Sequence, residues 1–318
     1  MRFLLVLLIL CFTSVAHAED FQSWLSSYKQ RAIATGVPAA VVNRALYNIA
    51  PNDMVIRLDQ KQPEGHMTLA EYVEKTVTPK RIETGKQRLA ENRALLSHVQ
   101  QIYGVPPSII VALWGKESEF GSFMGNTETI SALATLAYEG RRRAFFEQEL
   151  LNAIVLTQRL NIDPRAMTGS WAGAIGQCQF MPSNYIKFAL DGNGNRRVDL
   201  WRELPDVFAS MANLLVHEGW RRGEGWGQRV DLPPGFDKNL LGRDKAGRDI
   251  RFWEQLGVQF NQQVPASNRQ NIRLYQPDGT DGPSYALYPN FDVLMRWNHS
   301  GYFATAVGRL SDHLENRQ

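Results

Sequence analysis

Cysteine is nearly absent from this chain of 318 residues, which has only Cys11 and Cys178. Closely spaced cysteines in even number would indicate a disulfide framework, and Cys and His at short spacing would indicate a zinc site. Neither pattern occurs, because the histidines are scattered along the chain. Stability therefore has to come from a hydrophobic core, and 44% hydrophobic residues in a chain of this length are enough to build one.

An excess of one charge sign is also lacking. Lys and Arg number 35 against 32 Asp and Glu, which gives a formal net charge of +3. Nucleic-acid-binding domains usually carry a pronounced basic face, so this balance argues against a nucleic-acid partner. It remains compatible with binding of an anionic polymer to a local basic patch.

No hydrophobic run is long enough to cross a membrane, and the longest one lies at the N-terminus. It covers residues 3–12, follows Arg2 and precedes the small residues Ala16 and Ala18. This organisation is typical of a signal peptide that is cleaved after residue 18, although a buried N-terminal helix is the alternative. Cys11 lies inside the run instead of at its end, which argues against a lipid anchor. We therefore expect an exported, soluble protein without a transmembrane segment.

The rest of the chain reads as a helical body with one strand-rich segment. Turn signals such as Pro233-Pro234-Gly235 and Asp278-Gly279 separate short β-prone pieces within residues 223–290. These pieces are 258–260, 272–275 and 285–288. Hydrophobic periodicity predicts helices at 21–50, 80–102, 107–120, 129–139, 144–161, 183–190, 206–219 and 302–315. The pattern predicts a mainly α (α+β) protein with a small inserted β sub-domain.

Glu117 is an isolated charge on an otherwise apolar helix face. In a helix that begins near Pro107 and ends at Gly121, this face is shared at helical spacing by Ile110, Leu113 and Trp114. A carboxyl group in such surroundings is desolvated, which raises its pKa and keeps it protonated near neutral pH. A general acid that cleaves a glycosidic bond needs this property. The alternative is a buried glutamate paired with Lys or Arg, and the helix alone does not decide between the two.

Small residues dominate a second segment, at 169–183. Gly173, Ala174 and Gly176 remove side-chain bulk, so that the backbone could approach a ligand closely. Gln177 and Gln179 present amide groups suited to hydrogen-bonding an N-acetyl group. The alternative is a tight turn between helices in which the small residues serve packing only.

Taken together, Glu117-Ser118 and Gly-Ala-Ile-Gly-Gln-Cys-Gln-Phe-Met-Pro-Ser at 173–183 resemble motifs of a known family. They are similar to those of the lysozyme-like lytic transglycosylases of bacterial cell walls, more specifically the membrane-bound lytic murein transglycosylase B family (glycoside hydrolase family 103). Further similarity lies at 58–64, 114–118, 199–201 and 297–300, so the resemblance covers nearly all of the chain after the signal peptide.

The resemblance implies a lysozyme-like helical core and a role for individual residues. Glu117 matches the single catalytic acid/base of the family. The candidate substrate-binding residues are Ser170, Gln177, Gln179, Tyr138, Tyr185, Asn298 and Tyr302. Two departures affect the sugar contacts: Gln177-Cys178 stands where the family often has Tyr-Gly, and Trp297 stands where it often has Tyr.

The implied activity is non-hydrolytic cleavage of the β-1,4 bond between N-acetylmuramic acid and N-acetylglucosamine, which leaves 1,6-anhydromuramyl ends. The implied partners are peptidoglycan glycan strands and proteins of cell-wall synthesis, and no cofactor is required. Two alternatives remain open at this stage: a hydrolytic muramidase, and a catalytically silent peptidoglycan-binding protein that keeps the fold.

An ion-binding loop is a further candidate. Oxygen side chains at 191, 193, 195 and 199 occupy the first, third, fifth and ninth positions of an EF-hand-like loop. Arg196 and Arg202 stand where that loop needs Gly and Glu, so Glu203 or Asp206 would have to replace the last ligand. Asn-Gly turns alone produce similar strings, although members of the family can carry calcium here. The candidate ligands for a structural Ca²⁺ are Asp191, Asn193, Asn195, Asp199 and Asp206.

We expect five segments along the chain. They are a signal peptide at 1–18, an N-terminal helical sub-domain at 19–90, a catalytic core at 91–222, a β-rich insert at 223–290, and a helix at 291–318 that returns to the core.

Overall fold

The computed structural model describes residues 20–61, 67–279 and 282–317. The signal peptide predicted at 1–18 lies outside these residues, as does part of the motif at 58–64. Within the described ranges the chain forms fourteen α-helices and six short strands. The helices are α1 (Phe21–Ala34), α2 (Ala39–Ala45), α3 (Asp53–Gln60), α4 (Leu69–Thr76), α5 (Pro79–Glu91), α6 (Arg93–Tyr103), α7 (Pro107–Ser118), α8 (Thr129–Glu139), α9 (Arg143–Arg159), α10 (Pro182–Phe188), α11 (Leu204–His217), α12 (Ile250–Gln255), α13 (Pro289–Trp297) and α14 (Gly301–Leu314).

The strands form two separate antiparallel sheets. Their bounds are β1 (Thr127–Glu128), β2 (Thr168–Gly169), β3 (Gly227–Asp231), β4 (Gln259–Phe260), β5 (Arg273–Tyr275) and β6 (Ser284–Leu287). The first two strands pair with each other, and the other four form a sheet in the order β4-β3-β6-β5. The three β-prone segments that the sequence predicted correspond to β4, β5 and β6.

Local signals explain where many helices begin and why two predicted helices are each divided in two. Asp20, Asn52, Thr68 and Thr78 accept hydrogen bonds from first-turn amides of α1, α3, α4 and α5. The helix predicted at 21–50 is interrupted before Pro38, because proline favours the first turn of a new helix. The helix predicted at 80–102 is interrupted at Asn92. Helices α3, α4, α12 and α13 were not predicted.

Helix α7 lies at the centre of the main hydrophobic core. Every residue from Ser108 to Gly115 is buried, and α5, α6, α11 and α14 pack against this helix. The prediction of a single apolar face on α7 was therefore incomplete, since the helix is buried nearly all round. Apart from Pro107 at its start, such burial leaves only Lys116 and Glu117, near the C-terminal end of the helix, partly exposed to solvent.

The β sub-domain has a hydrophobic core of its own. Val230 of β3, Leu274 of β5 and Ala286 of β6 are buried there together with Trp253 of α12. The indole N–H of Trp253 donates to the carbonyl of Ile272 at 3.0 Å, which satisfies the only polar atom of that side chain. This second core is separate from the main one, so the insert forms a packed unit.

Helix α14 joins the main core to the β sub-domain. The Ser311 hydroxyl lies 2.9 Å from that of Ser108 in α7, and the indole N–H of Trp226 donates to Asp312 Oδ1 at 3.1 Å. The Trp226 ring lies directly over Gly308, where a Cβ atom would come within 2.2 Å of the ring. Glycine is therefore needed at 308 for space, although it is a poor helix former.

We expect Gly308→Ala to destabilise the protein by about 1–2 kcal/mol. Overpacking against Trp226 costs about 1–3 kcal/mol, and the better helix propensity of Ala offsets up to about 1 kcal/mol of this. Denaturant unfolding measures the change. Combining Gly308→Ala with Trp226→Leu should cost less than the sum of the two single variants, because each relieves the other's misfit. A Gly308→Ala protein as stable as the parent would contradict this account.

Candidate active site

The carboxylate of Glu117 accepts a hydrogen bond from an indole. The Nε1–H of Trp297, at the end of α13, donates to Glu117 Oε1 at 2.6 Å. Glu117 forms no ion pair with any described residue. Burial raises the pKa of Glu117 to about 7, while the Trp297 bond and the charge of Lys116 oppose the rise. At neutral pH this carboxyl group therefore exists in both protonation states.

The predicted tryptophan neighbour has a different role. The indole of Trp114 lies in the core and donates to Gln177 Oε1 at 2.8 Å. The hydrogen bond to Glu117 comes instead from Trp297, which is 180 residues away in sequence. The sequence had marked Trp297 only as a departure from the family pattern, and no local signal connects it with α7.

Lys116, which sequence reasoning missed, places a cation beside Glu117. Its Nζ lies 4.7 Å from the centre of the Tyr72 ring and 5.7 Å from that of Phe303, and 3.4 Å from the Tyr72 hydroxyl. Burial lowers the pKa of Lys116 to about 8. Tyr72 of α4 and Phe303 of α14 thus line this side of the site. Burial raises the pKa of Tyr72, and the charge of Glu117 raises it further.

The chain leaves α7 through an unusual turn. The helix ends at Ser118 and not at Gly121 as predicted, and Glu119, Phe120 and Gly121 all have positive φ angles, of 50°, 57° and 81°. Each non-glycine residue in this conformation costs on the order of 1 kcal/mol. Two anchors hold the turn: Glu119 forms an ion pair with Arg81, and the Phe120 ring packs edge-on against Trp114. Such strain concentrates at functional sites.

Ser170 and Gln179 both have groups available to a ligand. The Ser170 oxygen accepts the Ala174 amide at 3.0 Å, which leaves its hydroxyl hydrogen to donate elsewhere. The Gln179 amide nitrogen donates to the carbonyls of Met124 and Gly176, at 3.1 and 2.9 Å. Its side-chain oxygen accepts no hydrogen bond from a described residue, and the side chain is half-buried. The fixed amide therefore presents this oxygen as an acceptor.

Gln177, a predicted substrate contact, has both polar groups of its side chain bonded within the protein. Its side chain is buried, its oxygen accepts from Trp114, and its nitrogen donates to the carbonyl of Trp201 at 2.9 Å. The amide therefore joins α7 to the segment before α11. The neighbouring Cys178 thiol is fully buried, and burial raises its pKa, so it is not a nucleophile.

Two of the predicted tyrosines also serve the framework. Tyr138 packs against Phe21 and Trp24 of α1, with ring centres 5.2 and 5.9 Å apart. Tyr185 is buried, and its hydroxyl donates to the Val198 carbonyl at 2.7 Å. Aromatic rings with a polar tip suit packing as well as sugar binding, so the sequence could not separate the two uses.

The other two predicted contacts lie beside the Glu117 group. Asn298 is exposed and directly follows Trp297. Tyr302 lies half-buried at the start of α14, with its ring centre 5.9 Å from that of Tyr72. Burial raises the pKa of Tyr302, and the charge of Asp278 and a hydrogen bond to it raise this pKa further. Asp278 also caps α4, accepting the amide hydrogens of residues 69 and 70 at 2.7 and 2.9 Å.

The small residues at 169–183 permit packing of protein against protein. A Cβ atom on Gly173 would come within 2.3 Å of Leu133, and one on Gly176 within 2.8 Å of the Leu200 carbonyl. The expectation that these positions bring backbone close to a ligand was therefore wrong at both. The close packing instead fixes the backbone that holds Ser170 and Gln179.

The loop at 191–199 carries four of the five predicted ion ligands. Asp191 accepts four backbone amides of the loop, from residues 193 to 196. The side-chain nitrogens of Asn193 and Asn195 both donate to Glu203 Oε2. Asp199 accepts the amides of residues 201 and 202 and pairs with Arg197.

Asp206, the fifth predicted ion ligand, is bonded to backbone amides of the loop. It is fully buried and accepts the backbone amides of Gly192 and Asp199, both at 2.8 Å. Glu203, the alternative that the sequence offered, is the acid that faces Asn193 and Asn195. No group of three or more acidic, His or Cys side chains with metal-site geometry occurs in the described ranges.

Comparison with known proteins identifies the family. Residues 20–312 match the Transglycosylase SLT domain. The chain belongs to this family. It is 34% identical over 277 residues to membrane-bound lytic murein transglycosylase B of Escherichia coli (strain K12), covering 85% of this chain and 72% of that protein. The resemblance found in the sequence is thereby confirmed.

Solved structures agree with this assignment. SltB3 of Pseudomonas aeruginosa, in complex with NAG-anhNAM-pentapeptide, is 36% identical with a TM-score of 0.87, over 94% of this chain and 80% of that one. The lytic transglycosylase Slt35 of E. coli, in complex with calcium, is 30% identical with a TM-score of 0.79, over 92% of both chains. The predicted mainly α, lysozyme-like fold is confirmed, and this transglycosylase is an enzyme of the lytic type.

We expect Trp297→Phe to raise the pKa of Glu117 by about one unit. The hydrogen bond stabilises the carboxylate, and one to a charged group is worth about 1.5–3 kcal/mol, less where solvent reaches it. Phenylalanine keeps the ring contact with Phe180 but has no donor. Carboxyl ¹³C NMR titration of Glu117 measures the shift.

Trp253→Phe in the β sub-domain is the matched control, because it also removes a buried indole hydrogen bond. It should lower the melting temperature and leave the Glu117 titration unchanged. An unaltered titration in Trp297→Phe would show that the bond does not determine the pKa.

Proposed function

We propose that this protein cleaves the β-1,4 bond between N-acetylmuramic acid and N-acetylglucosamine in peptidoglycan and forms 1,6-anhydromuramyl ends without using water. The observation that carries this proposal is Glu117, a desolvated carboxyl group with a pKa near 7 and no ion pair among the described residues. Such a group can donate a proton and then accept one at the same pH. A glutamate that serves only stability would be paired with a cation or hold several hydrogen-bond donors, as the buried Glu149 does with the amide and hydroxyl of Ser183.

The first step transfers the Glu117 proton to the glycosidic oxygen as the bond to the muramyl C1 breaks. Positive charge develops at C1, and the N-acetyl carbonyl of the substrate can stabilise it in the substrate-assisted manner known for some glycosidases. The Trp297 indole and the Lys116 ammonium stabilise the carboxylate that Glu117 becomes. Both groups therefore favour release of the proton.

In the second step the Glu117 carboxylate removes the proton of the muramyl C6 hydroxyl. The C6 oxygen attacks C1 and closes the 1,6-anhydro ring, and Glu117 regains its proton. One carboxyl group therefore suffices for the whole cycle, and no cofactor takes part.

We further propose that Ser170, Gln179, Asn298 and Tyr302 contact the sugars. Gln179 offers an oriented acceptor for the N–H of an N-acetyl group, and Ser170 offers a hydroxyl donor. Tyr72 of α4 and Lys116 of α7 extend the polar lining around Glu117. Gln177, Tyr138 and Tyr185 belong to the framework that supports them.

The setting that we propose is the periplasm, reached through a signal peptide cleaved after residue 18. None of the described helices is long and apolar enough to span a bilayer. The proposed partners are glycan strands and proteins of cell-wall synthesis, and the proposed state is monomeric. The five segments expected from the sequence are the proposed domain organisation.

A hydrolytic muramidase is the competing activity, and the product distinguishes it. Mass spectrometry of muropeptides released from purified peptidoglycan separates 1,6-anhydromuramyl ends from reducing ends. The proposal requires anhydro ends from the start of the reaction. Release of reducing ends alone would establish hydrolysis, and release of nothing would indicate a silent binding protein.

Glu117→Gln should abolish turnover and keep or increase stability. Gln preserves the shape but carries no transferable proton. The pKa of Glu117 in the folded state lies above its unfolded value of 4.5, so ionisation opposes folding and stability falls as pH rises from about 4.5 through 7. The stability gained by Gln should therefore appear at pH 8 and be absent near pH 4. Muropeptide release and thermal unfolding measure the two effects.

Glu119→Gln is the matched control, since Glu119 lies two residues away and does pair with Arg81. That variant should lose stability and retain the cleavage reaction. An active Glu117→Gln enzyme, or one destabilised as Glu119→Gln is, would exclude Glu117 as the acid and base.

We also propose that the 191–199 loop binds a structural Ca²⁺ through oxygen atoms of Asp191, Asn193, Asn195, Asp199 and Glu203. The structure of E. coli Slt35 in complex with calcium supports this proposal. Asn193 and Asn195 already contact Glu203, and carboxylate and amide oxygens are the ligands that calcium prefers.

Calcium should raise the melting temperature, because a ligand that binds only the folded state stabilises it. Millimolar calcium should shift the midpoint by several degrees, roughly as 2–3 kcal/mol of binding free energy would. Glu203→Gln should reduce the shift, and magnesium should produce a smaller one. Equal melting with calcium and with a chelator would remove the ion from this account.

A further inference from the structure

Lys116 is a cation without a partner of opposite charge among the described residues. The nearby Arg81 is neutralised by its ion pair with Glu119, whereas no carboxylate of the described ranges forms such a pair with Lys116. Lys116 and Glu117 each act on the pKa of the other, in addition to the larger effect of burial on both. While Glu117 is protonated, as the first step requires, Lys116 therefore leaves the site with an uncompensated positive charge.

The position of the Lys116 ammonium group is fixed, but most of its hydrogen-bonding capacity is unused. Its Nζ lies 4.7 Å from the centre of the Tyr72 ring and 5.7 Å from that of Phe303, and it donates to the Tyr72 hydroxyl at 3.4 Å. An ammonium group has three N–H donors. The other two donors have no acceptor in the described part of the chain, and the side chain is only partly buried. Such a group is suited to bind an oxygen atom of a ligand.

The two sugars of the proposed substrate differ in a single group. N-acetylmuramic acid is N-acetylglucosamine with a lactyl ether on the C3 oxygen, and this ether ends in a carboxyl group. Both sugars carry the N-acetyl group and the C6 hydroxyl that the two proposed steps use. The chemistry at Glu117 therefore does not distinguish them, and cleavage at the muramyl unit requires a group that contacts the lactyl ether.

We propose that Lys116 binds the carboxyl oxygen of this lactyl group and thereby selects a muramyl unit for cleavage. The inference rests on the proposed function, because it places the C1 atom of the cleaved sugar at Glu117. C3 belongs to the same ring as C1, so the lactyl group lies within reach of a side chain adjacent to Glu117. Of the residues that line the site, Lys116 alone carries a positive charge. Tyr72 and Phe303 hold the ammonium group in place.

Calorimetric titration with two disaccharides tests the proposal. One probe is N-acetylglucosaminyl-N-acetylmuramic acid, and the other is N-acetylglucosaminyl-N-acetylglucosamine, so the two differ only in the lactyl ether of the reducing sugar. Neither contains the bond that the enzyme cleaves, and the measurement does not depend on turnover. At pH 6 the lactyl carboxyl group is ionised and Lys116 is protonated, because its pKa is about 8. We expect the lactyl group to tighten binding to the wild-type protein about tenfold at low salt, since hydrogen bonds between charged groups contribute on that scale.

Lys116→Met should reduce the difference between the two disaccharides to less than about twofold, because methionine fills a similar space without charge or donor. Lys116→Arg should keep most of the difference, since arginine retains the positive charge. Lys187→Met is the matched control. Lys187 is also a cation over an aromatic ring, with its Nζ 4.6 Å from the centre of the Phe188 ring, but it is exposed on α10. This control should keep the full difference, and thermal unfolding checks that each variant is folded.

Equal affinity of the wild type for the two disaccharides would overturn the proposal, and this comparison needs no variant. A difference that persists in Lys116→Met would also overturn it. A loss of equal size in Lys187→Met would show that the overall charge of the protein attracts the carboxylate, which again overturns a specific contact. A change of the Glu117 pKa in Lys116→Met would affect both disaccharides alike, so it does not imitate the expected result. Binding of neither disaccharide would contradict the proposed function itself, so the two failures are distinguishable.

Discussion

The burial of one carboxyl group without a charged partner is the constraint on which this structure depends. An unpaired ionisable group in the interior opposes folding when it is charged, so the surrounding protein has to hold it in place at a cost. Here the cost is limited because Glu117 lies at the end of a buried helix, remains half-buried, and accepts one strong neutral donor from Trp297. Desolvation without an ion pair is also what gives the group two accessible protonation states.

Holding that group requires elements from distant parts of the chain. Helix α7 supplies Glu117 and Lys116, α4 supplies Tyr72, and α13 and α14 supply Trp297 and Phe303. The β sub-domain contributes indirectly through Asp278, which caps α4 and contacts Tyr302. An insert that resembles an accessory unit therefore helps to position one wall of the site, which explains why the chain returns to the core after it.

Hydrogen bonds of buried polar side chains hold the motif segments in position. Gln177 uses its amide to join Trp114 to the Trp201 carbonyl, and Asp206 uses its carboxylate to hold the 191–199 loop. Buried polar groups with full sets of partners are rigid, since breaking one bond leaves another group unsatisfied. This framework allows the neighbouring Ser170 and Gln179 to keep a donor and an acceptor fixed in orientation. The strained turn after α7 completes the arrangement.

The sequence by itself determined the family, the helical body, the β-rich insert and the identity of the buried acid, because these depend on local periodicity, turn residues and contiguous motifs. It could not separate residues of equal chemistry: Gln177 from Gln179, Asp206 from Glu203, or Tyr138 and Tyr185 from Tyr302. One member of each set faces the interior and the other is accessible, and that difference arises only when distant segments pack. For the same reason only the tertiary structure revealed Trp297 as the donor to Glu117. Hydrogen-bond partners and concave surfaces are properties of the folded chain, and residues 180 positions apart carry no local signal of their contact.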